Sequence, residues 1–272
     1  MDISSISSWW RSNATLKILY LILLGQLVSF ILALCSFTSS LVADLGVNAP
    51  ITQSSFNYFA LALVYGSILL YRRQKLRIAW YWYLLLGFVD VQGNYLGGSR
   101  PLLGDSLVIA GTIFFACSNV GEEFCVKKKD RVEVVSMIGL YGLLVSVIQL
   151  SVLEVKSLES VTWSADIVLA LAGYTVSLFL FYTISPFVLK LGGATMFNLS
   201  ILTADMWAVV FRILFYHQEV DWLYFVAFAV VAVGLIVYST TEKDPDTAPA
   251  LENVEYQVLS AENSVITYEP LA

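Results

Sequence analysis

Charged residues are scarce in this chain. Aspartate, glutamate, lysine and arginine make up 13% of its 272 residues, whereas hydrophobic residues make up 58%. A soluble domain carries roughly 25% charged residues, because water must cover its surface. The composition therefore excludes an ordinary soluble domain and indicates a polytopic membrane protein.

Histidine and cysteine are scarcer still. His217 is the single histidine, and Cys35, Cys117 and Cys125 lack the spacing of a metal site or a disulfide framework. A histidine-based triad and a multi-histidine metal site are thus excluded. We expect no catalytic residue, no metal and no cofactor, and the sequence does not favour an enzyme.

What the chain does have is a series of apolar runs long enough to cross a bilayer, about 17 to 25 residues each. They are continuous rather than alternating, which favours helices over a barrel. No convincing cleavage site follows the first run, so we interpret it as a retained helix. The prediction is an all-α polytopic bundle with eight transmembrane helices: Ile18–Phe37, Ser54–Tyr71, Ala79–Leu96, Leu102–Val120, Val134–Leu153, Ile167–Leu189, Gly192–Tyr216 and Trp222–Tyr238.

The predicted organisation has three parts. Residues 1–15 form a cytosolic N-terminal segment, residues 16–240 a transmembrane domain, and residues 241–272 a tail. From Glu242 onward the tail holds seven acidic residues against Lys243 alone. An acidic, proline-containing segment of this kind is expected to be disordered and exposed to water.

The basic residues fall almost entirely on one side of an eight-helix topology. By the positive-inside rule this side is the cytosol, which places both termini there. One helix more or fewer would scatter the clusters, so the pattern also supports the count. The organelle stays open among the Golgi, another endomembrane and the plasma membrane. The clusters follow the second, fourth, sixth and eighth runs or precede the first, and only Arg100 and Lys156 lie opposite.

A polar stripe interrupts the seventh run. Asn198, Asp205 and Arg212 are seven residues apart and therefore share one face of a continuous helix. A charge in hydrocarbon costs at least about 2.5 to 3.5 kcal/mol, so this face should be shielded from lipid. A direct Asp205–Arg212 pair is disfavoured by their axial rise of roughly 10 Å, although Arg212 lies near enough to the end to snorkel.

The third run has a polar face of its own, formed by Gly87, Asp90 and Asn94. Asp90 lies deep in the span, where a carboxyl group can exchange a proton or pair with a cationic solute. The alternative is a structural hydrogen bond between helices, and the sequence leaves both open. Gly192, Gly193 and Pro186 add flexible or broken helix ends of the kind that transporters use.

Five segments of the chain have a distinctive sequence. They are GNYL at 93–96, PLLGD at 101–105, SNVGEEF at 118–124, GATMFNLSILTADMWAV at 193–209 and VDWLYFVAFAVVAVGLIVYS at 220–239. Together they closely resemble the F subgroup of solute carrier family 35, within the drug/metabolite transporter superfamily. The resemblance covers roughly residues 16–239.

The resemblance implies two inverted five-helix repeats around a central cavity, and solute transport. It also reveals a departure: Leu96 runs almost directly into Pro101, where the family has its fourth and fifth helices. Gln92 stands where the family pattern has an acid. The matching polar positions, with Arg212 from the stripe, give the predicted substrate-binding residues: Asp90, Asn94, Asn198, Thr203, Asp205 and Arg212.

Two functions remain open. The first is a transporter that moves a small polar organic solute, of the nucleotide-sugar or nucleoside-like class, by alternating access. The second is a truncated, non-transporting form that binds full-length relatives. We expect a small-molecule solute and the lipid bilayer as partners, no nucleic-acid polymer, and either a homo- or a hetero-dimer as the assembly to test.

Overall fold

Every regular element in the computed structural model is an α-helix across the residues it describes, which are 14–73, 79–97, 104–128, 130–216 and 221–241. Nearly all of the predicted tail 241–272 and of the predicted segment 1–15 lies outside them. The helices are α1 (Ala14–Asp44), α2 (Pro50–Arg72), α3 (Trp80–Gly97), α4 (Gly104–Lys128), α5 (Arg131–Leu153), α6 (Val155–Glu159), α7 (Ala165–Leu202), α8 (Ala204–Tyr216) and α9 (Trp222–Thr241).

Five stretches of the described chain are long and apolar enough to cross a membrane. One of them, Ala165–Phe215, is 51 residues long and contains the sixth and seventh predicted runs. The eighth run corresponds to the shorter apolar helix Trp222–Tyr238, and the third to α3, which has 18 residues. The all-α polytopic membrane fold is confirmed, and the count of eight stays a prediction.

The bundle has an apolar outside and a partly polar inside. Leu70, Val152 and Leu169 are 80%, 78% and 74% exposed, whereas Asn57, Ser29 and Ser200 are fully buried. In water this distribution would be unfavourable, because apolar side chains gain free energy on leaving solvent. In lipid it is the expected one, since polar groups there must pair with each other inside the protein.

Small residues let the helices approach one another closely, as in other membrane bundles. On α5, a Cβ atom added at Gly139 would lie 2.6 Å from the Ala62 backbone nitrogen of α2. One added at Gly142 would lie 2.6 Å from the Tyr58 ring. The close packing of α2 against α5 therefore depends on these two glycines.

Polar contacts fix the two ends of the same pair of helices. At one end Arg72 forms a 2.7 Å ion pair with Asp130. At the other end the buried Glu154 carboxylate accepts hydrogen bonds of 2.8 and 2.7 Å from the Ile51 and Thr52 backbone N–H groups. These N–H groups have no partner within α2, so Glu154 caps that helix from outside it.

The chain from Gly192 to Tyr216 is not the single helix that the sequence suggested. Gly193 has φ 77° and ψ 170°, a conformation essentially restricted to glycine, and it breaks α7. A second break follows at Thr203, whose hydroxyl donates a 2.6 Å hydrogen bond to the Ser200 carbonyl. We call residues 194–202, between the two breaks, the inserted segment.

Replacing Gly139 by alanine should lower the stability of the bundle, because the new methyl group meets the backbone of α2. We expect a loss of about 1 to 3 kcal/mol, measured as a lower thermal unfolding midpoint in detergent. Gly234→Ala on α9 is the matched control, because no atom lies within 4 Å of its added Cβ. Equal midpoints for the two variants would contradict the proposed packing.

Candidate functional site

The Asp90 carboxylate lies at the meeting point of four helices. Tyr58 of α2 donates a 2.7 Å hydrogen bond to its Oδ2 atom, and Tyr182 of α7 donates a second to the same atom. Ser118 of α4 donates a 2.9 Å bond to Oδ1. Asp90 is 4% exposed, so these three hydroxyl groups replace the water that a carboxylate would otherwise bind.

Asn94 completes this network one turn further along α3. Its Nδ2 atom donates to the hydroxyl oxygens of Tyr58 and Tyr182 at 2.8 and 3.2 Å. Each tyrosine therefore accepts from Asn94 and donates to Asp90. We call these five residues the Asp90 network: Tyr58, Asp90, Asn94, Ser118 and Tyr182.

Tyr182 lies where α7 lacks one backbone hydrogen bond. Pro186 follows four residues later and has no N–H group to donate to the Tyr182 carbonyl. The helix is thus less constrained at the residue that joins it to Asp90.

Two uncharged polar pairs join the first half of the chain to the second. Asn119 of α4 donates a 2.6 Å bond from Nδ2 to Oδ1 of Asn198 on the inserted segment. Gln26 of α1 donates a 3.0 Å bond from Nε2 to the Thr203 hydroxyl, at the second break. Both pairs therefore tie the inserted segment or its end to a neighbouring helix.

The predicted stripe does not share one environment. Asn198 is half-buried and paired, whereas Asp205 and Arg212 are exposed on α8. Within the described chain neither Asp205 nor Arg212 forms a hydrogen bond or an ion pair. No described hydrogen bond joins the Asp90 network to Asn198, Thr203, Asp205 or Arg212.

The two glutamates that close α4 have different surroundings. Glu123 pairs with Lys127 and accepts a 2.7 Å bond from the Ala194 backbone N–H, just after the Gly193 break. An acidic group at a helix N-terminus is favoured by the helix dipole. Glu122 is 4% exposed, and its Oε1 atom has no hydrogen-bond partner among the residues that the structure describes.

Several uncharged polar atoms inside the bundle are also unpaired. They include both side-chain polar atoms of Asn57, Nε2 of Gln92 and Oε1 of Gln149. A buried unpaired polar group costs about 1 to 3 kcal/mol. A molecule that offered hydrogen bonds to these atoms would recover part of that free energy.

Sequence reasoning identified Asp90 and Asn94 but missed Tyr58, Tyr182, Ser118, Asn119 and Gln26. The tyrosines carried a usable signal, because they lie well inside apolar runs and not at the ends, where aromatic belts occur. No comparable signal marked Ser118, Asn119 and Gln26, because single uncharged polar residues are common in membrane helices.

An apolar groove of about 780 Å³ opens elsewhere, between α1 and α7. Its lining includes Leu34, Thr38, Leu41, Leu169 and Gly173, and no predicted site residue contributes to it. We therefore do not assign the groove to the candidate site. Among the described residues, no group of three or more histidine, cysteine or acidic side chains could hold a metal ion.

A helical bundle with hydrogen-bonding groups in its interior and apolar residues outside defines a multi-pass membrane protein, and its buried ionisable groups are candidate functional sites. Sequence comparison then gives the family. A family model described as Solute carrier family 35, for the F subgroup, matches residues 14–97 and 96–240. This chain belongs to that subgroup of solute carrier family 35, and membership of this family implies a solute transporter rather than an enzyme.

Comparison with individual proteins supports the same family. Solute carrier family 35 member F2 of Mus musculus is 30% identical over 311 positions, covering 88% of this chain and 83% of the mouse protein. The Xenopus tropicalis protein of the same name is 27% identical, covering 85% and 79%. An uncharacterized solute carrier family 35 member of Schizosaccharomyces pombe is 32% identical over 177 positions, covering 60% and 35%.

The comparisons also bear on the two helices inferred to be missing between the third and fourth runs. The two matched ranges meet at residues 96 and 97. Because 88% of 272 residues is about 239, roughly 70 of the 311 positions aligned with the mouse protein have no residue of this chain opposite them. Two membrane helices of about 20 residues each and their connections would fill that length.

Removing one hydroxyl group from the Asp90 network should destabilise the bundle. Tyr182→Phe takes a donor from Asp90 and an acceptor from Asn94, so we expect a loss of about 1 to 3 kcal/mol. Chemical unfolding in detergent measures it. Tyr71→Phe is the control, because Tyr71 is 90% exposed and should change little; equal effects of the two substitutions would argue against the network.

Proposed function

We propose that this protein carries a small, uncharged, polar organic solute of the nucleoside-like class across a membrane by alternating access. The observation that carries the proposal is the set of unpaired amide atoms buried in the bundle, on Asn57, Gln92 and Gln149. Amide groups both donate and accept hydrogen bonds, as do the edges of a nucleobase and the hydroxyls of a ribose.

The distribution of positive charge favours a nucleoside over a nucleotide sugar. Phosphate groups are usually held by arginine or lysine. In the described part of the chain, basic side chains such as Arg72, Lys127 and Arg131 lie at helix ends, and Arg212 is exposed. The polar atoms inside the bundle are amides, hydroxyls and carboxylates, which suit an uncharged solute.

The inserted segment is the element we expect to move. It has a break at each end, and it carries Asn198 and leads to Thr203, two of the proposed binding residues. Discontinuous helices near the substrate are a recurrent feature of secondary transporters. Asp90 and Asn94 would form the facing wall, and Asp205 and Arg212 would lie at the exposed margin of the path.

The orientation we propose has both termini in the cytosol. The Arg72–Asp130 ion pair brings the basic ends of α2 and α5 together, as the positive-inside rule requires. The Glu154 cap would then lie on the opposite side of the membrane.

Uptake of tritiated uridine and adenosine into proteoliposomes, with a labelled uridine-diphosphate sugar in parallel, tests the substrate class. Thr203→Val should lower nucleoside uptake about tenfold, the equivalent of one lost hydrogen bond of roughly 1.4 kcal/mol. Thr162→Val is the matched control, because Thr162 is exposed in a connection between helices. Uptake of the sugar nucleotide alone would contradict the proposed class.

Making Gly193 an alanine should slow transport without weakening solute binding. Its φ of 77° is unfavourable for alanine, and the added Cβ would lie 3.1 Å from Glu123 Oε1. We expect a several-fold lower uptake rate at saturating uridine, with an unchanged apparent affinity. Gly234→Ala is again the control, and a loss of affinity alone would show that Gly193 has no hinge role.

The alternative function is a non-transporting membrane protein that pairs with full-length relatives. The gap at residues 96 and 97 is the observation that favours it. Inserting the corresponding segment of the mouse relative at this position would separate the two functions. Uptake only after insertion, together with co-purification of the original chain with that relative, would support the alternative.

A further inference from the structure

Glu122 lies in a buried position that none of the contacts above explains. It follows Ser118 by one helical turn and so lies on the same face of α4. Ser118 bonds to Asp90, so Glu122 lies one turn of α4 from the serine that contacts the Asp90 carboxylate. Glu122 is nevertheless 4% exposed, with Oε1 free of any hydrogen-bond partner in the described structure.

A third buried carboxylate, after those of Asp90 and Glu122, lies toward the basic end of the bundle. Glu133, in the first turn of α5, is buried and accepts a 2.8 Å bond from the Tyr83 hydroxyl of α3. The thiol of Cys125 lies within electrostatic reach of both Glu122 and Glu133. Asp90, Glu122 and Glu133 thus form a buried row, which we call the carboxylate row, between the Asp90 network and the end that carries Arg131.

In the described part of the chain, the titratable groups that a contact or an electrostatic interaction links to Glu122, directly or through one neighbour, are acidic or neutral. They are Asp90 and Tyr83 on α3, Glu133 on α5, Cys125 on α4 itself, and Tyr182 on α7, whose described contact is with Asp90. No lysine or arginine forms a described contact with Glu122. A buried carboxylate without a cationic partner is costly unless it is neutralised.

A proton suits this position better than a metal cation. A bound cation needs several oxygen ligands, and no group of three acidic, cysteine or histidine side chains in the described residues could supply them. A proton needs one lone pair that no donor occupies, and Oε1 of Glu122 has it within the described structure. Intramembrane acids in rows of this kind are typical of proton relays.

We propose that Glu122 takes up and releases a proton through the carboxylate row and so couples proton movement to solute movement. Uptake breaks one O–H bond of a hydronium ion and forms one on Oε1, which changes the carboxylate from −1 to neutral. Release passes the proton to Glu133 and then to a water molecule at the basic end, and Glu122 returns to −1. The coupling role rests on the proposed transport function, whereas the proton site itself does not.

Infrared difference spectroscopy of the purified protein between acidic and alkaline buffer tests the site without any solute. A protonated carboxyl group gives a carbonyl band that disappears on deprotonation. We expect this band in wild type and in Glu159→Gln, an exposed control on α6, and its loss in Glu122→Gln. An undiminished band in a folded Glu122→Gln protein would overturn the proposal.

Isotope labelling covers the case in which Glu122→Gln does not fold. With carboxyl-labelled ¹³C-glutamate in wild type, the band must move to lower frequency, and with labelled aspartate it must stay. A band that moves only with labelled aspartate would assign the proton to another residue and overturn the proposal.

The coupling is tested separately with a pH gradient across proteoliposomes and tritiated uridine. A gradient should accelerate uptake by wild type and by Glu159→Gln and leave Glu122→Gln unaffected. An equal response from Glu122→Gln would overturn the coupling. If no variant takes up uridine while the infrared band behaves as expected, the proton site holds and the proposed transport function fails.

Discussion

The arrangement of this protein depends on one constraint: a carboxylate within the bilayer must find its hydrogen-bond donors inside the protein. Asp90 obtains three, from α2, α4 and α7, and Asn94 fixes two of these donors in place. These donors come from three different helices. The hydrogen bonds to the Asp90 side chain of α3 therefore determine how four helices meet. The apolar exterior follows from the same constraint, since lipid can supply no hydrogen bonds.

Much of this was predictable from sequence. Apolar runs separated by turns indicate membrane helices, and the spacing of Asp90 and Asn94 places them on one helix face. Their partners were not predictable, because Tyr58, Ser118 and Tyr182 lie 32, 28 and 92 residues from Asp90 in the chain. Pairing between helices depends on how they pack, and one sequence carries no direct signal for that.

The seventh run shows a different limit of sequence reasoning. A repeat of seven residues predicts a common face only if the helix is continuous. Thr203 interrupts it, because its hydroxyl and its backbone N–H both bond to the Ser200 carbonyl. Asn198 therefore turns toward Asn119, while Asp205 lies exposed in the first turn of α8. Side chains that compete with the backbone for hydrogen bonds produce such breaks, and periodicity alone does not reveal them.

The hydrogen bond from the Ala194 N–H to Glu123 holds the chain immediately after the break at Gly193. A glycine in this conformation releases the start of the inserted segment from the rest of α7, and a charged side chain of α4 then holds that start in place. Such a charge-assisted bond contributes about 1.5 to 3 kcal/mol. The start of the inserted segment is thus held by a side chain of α4, and any movement of this start away from α4 would have to break that bond.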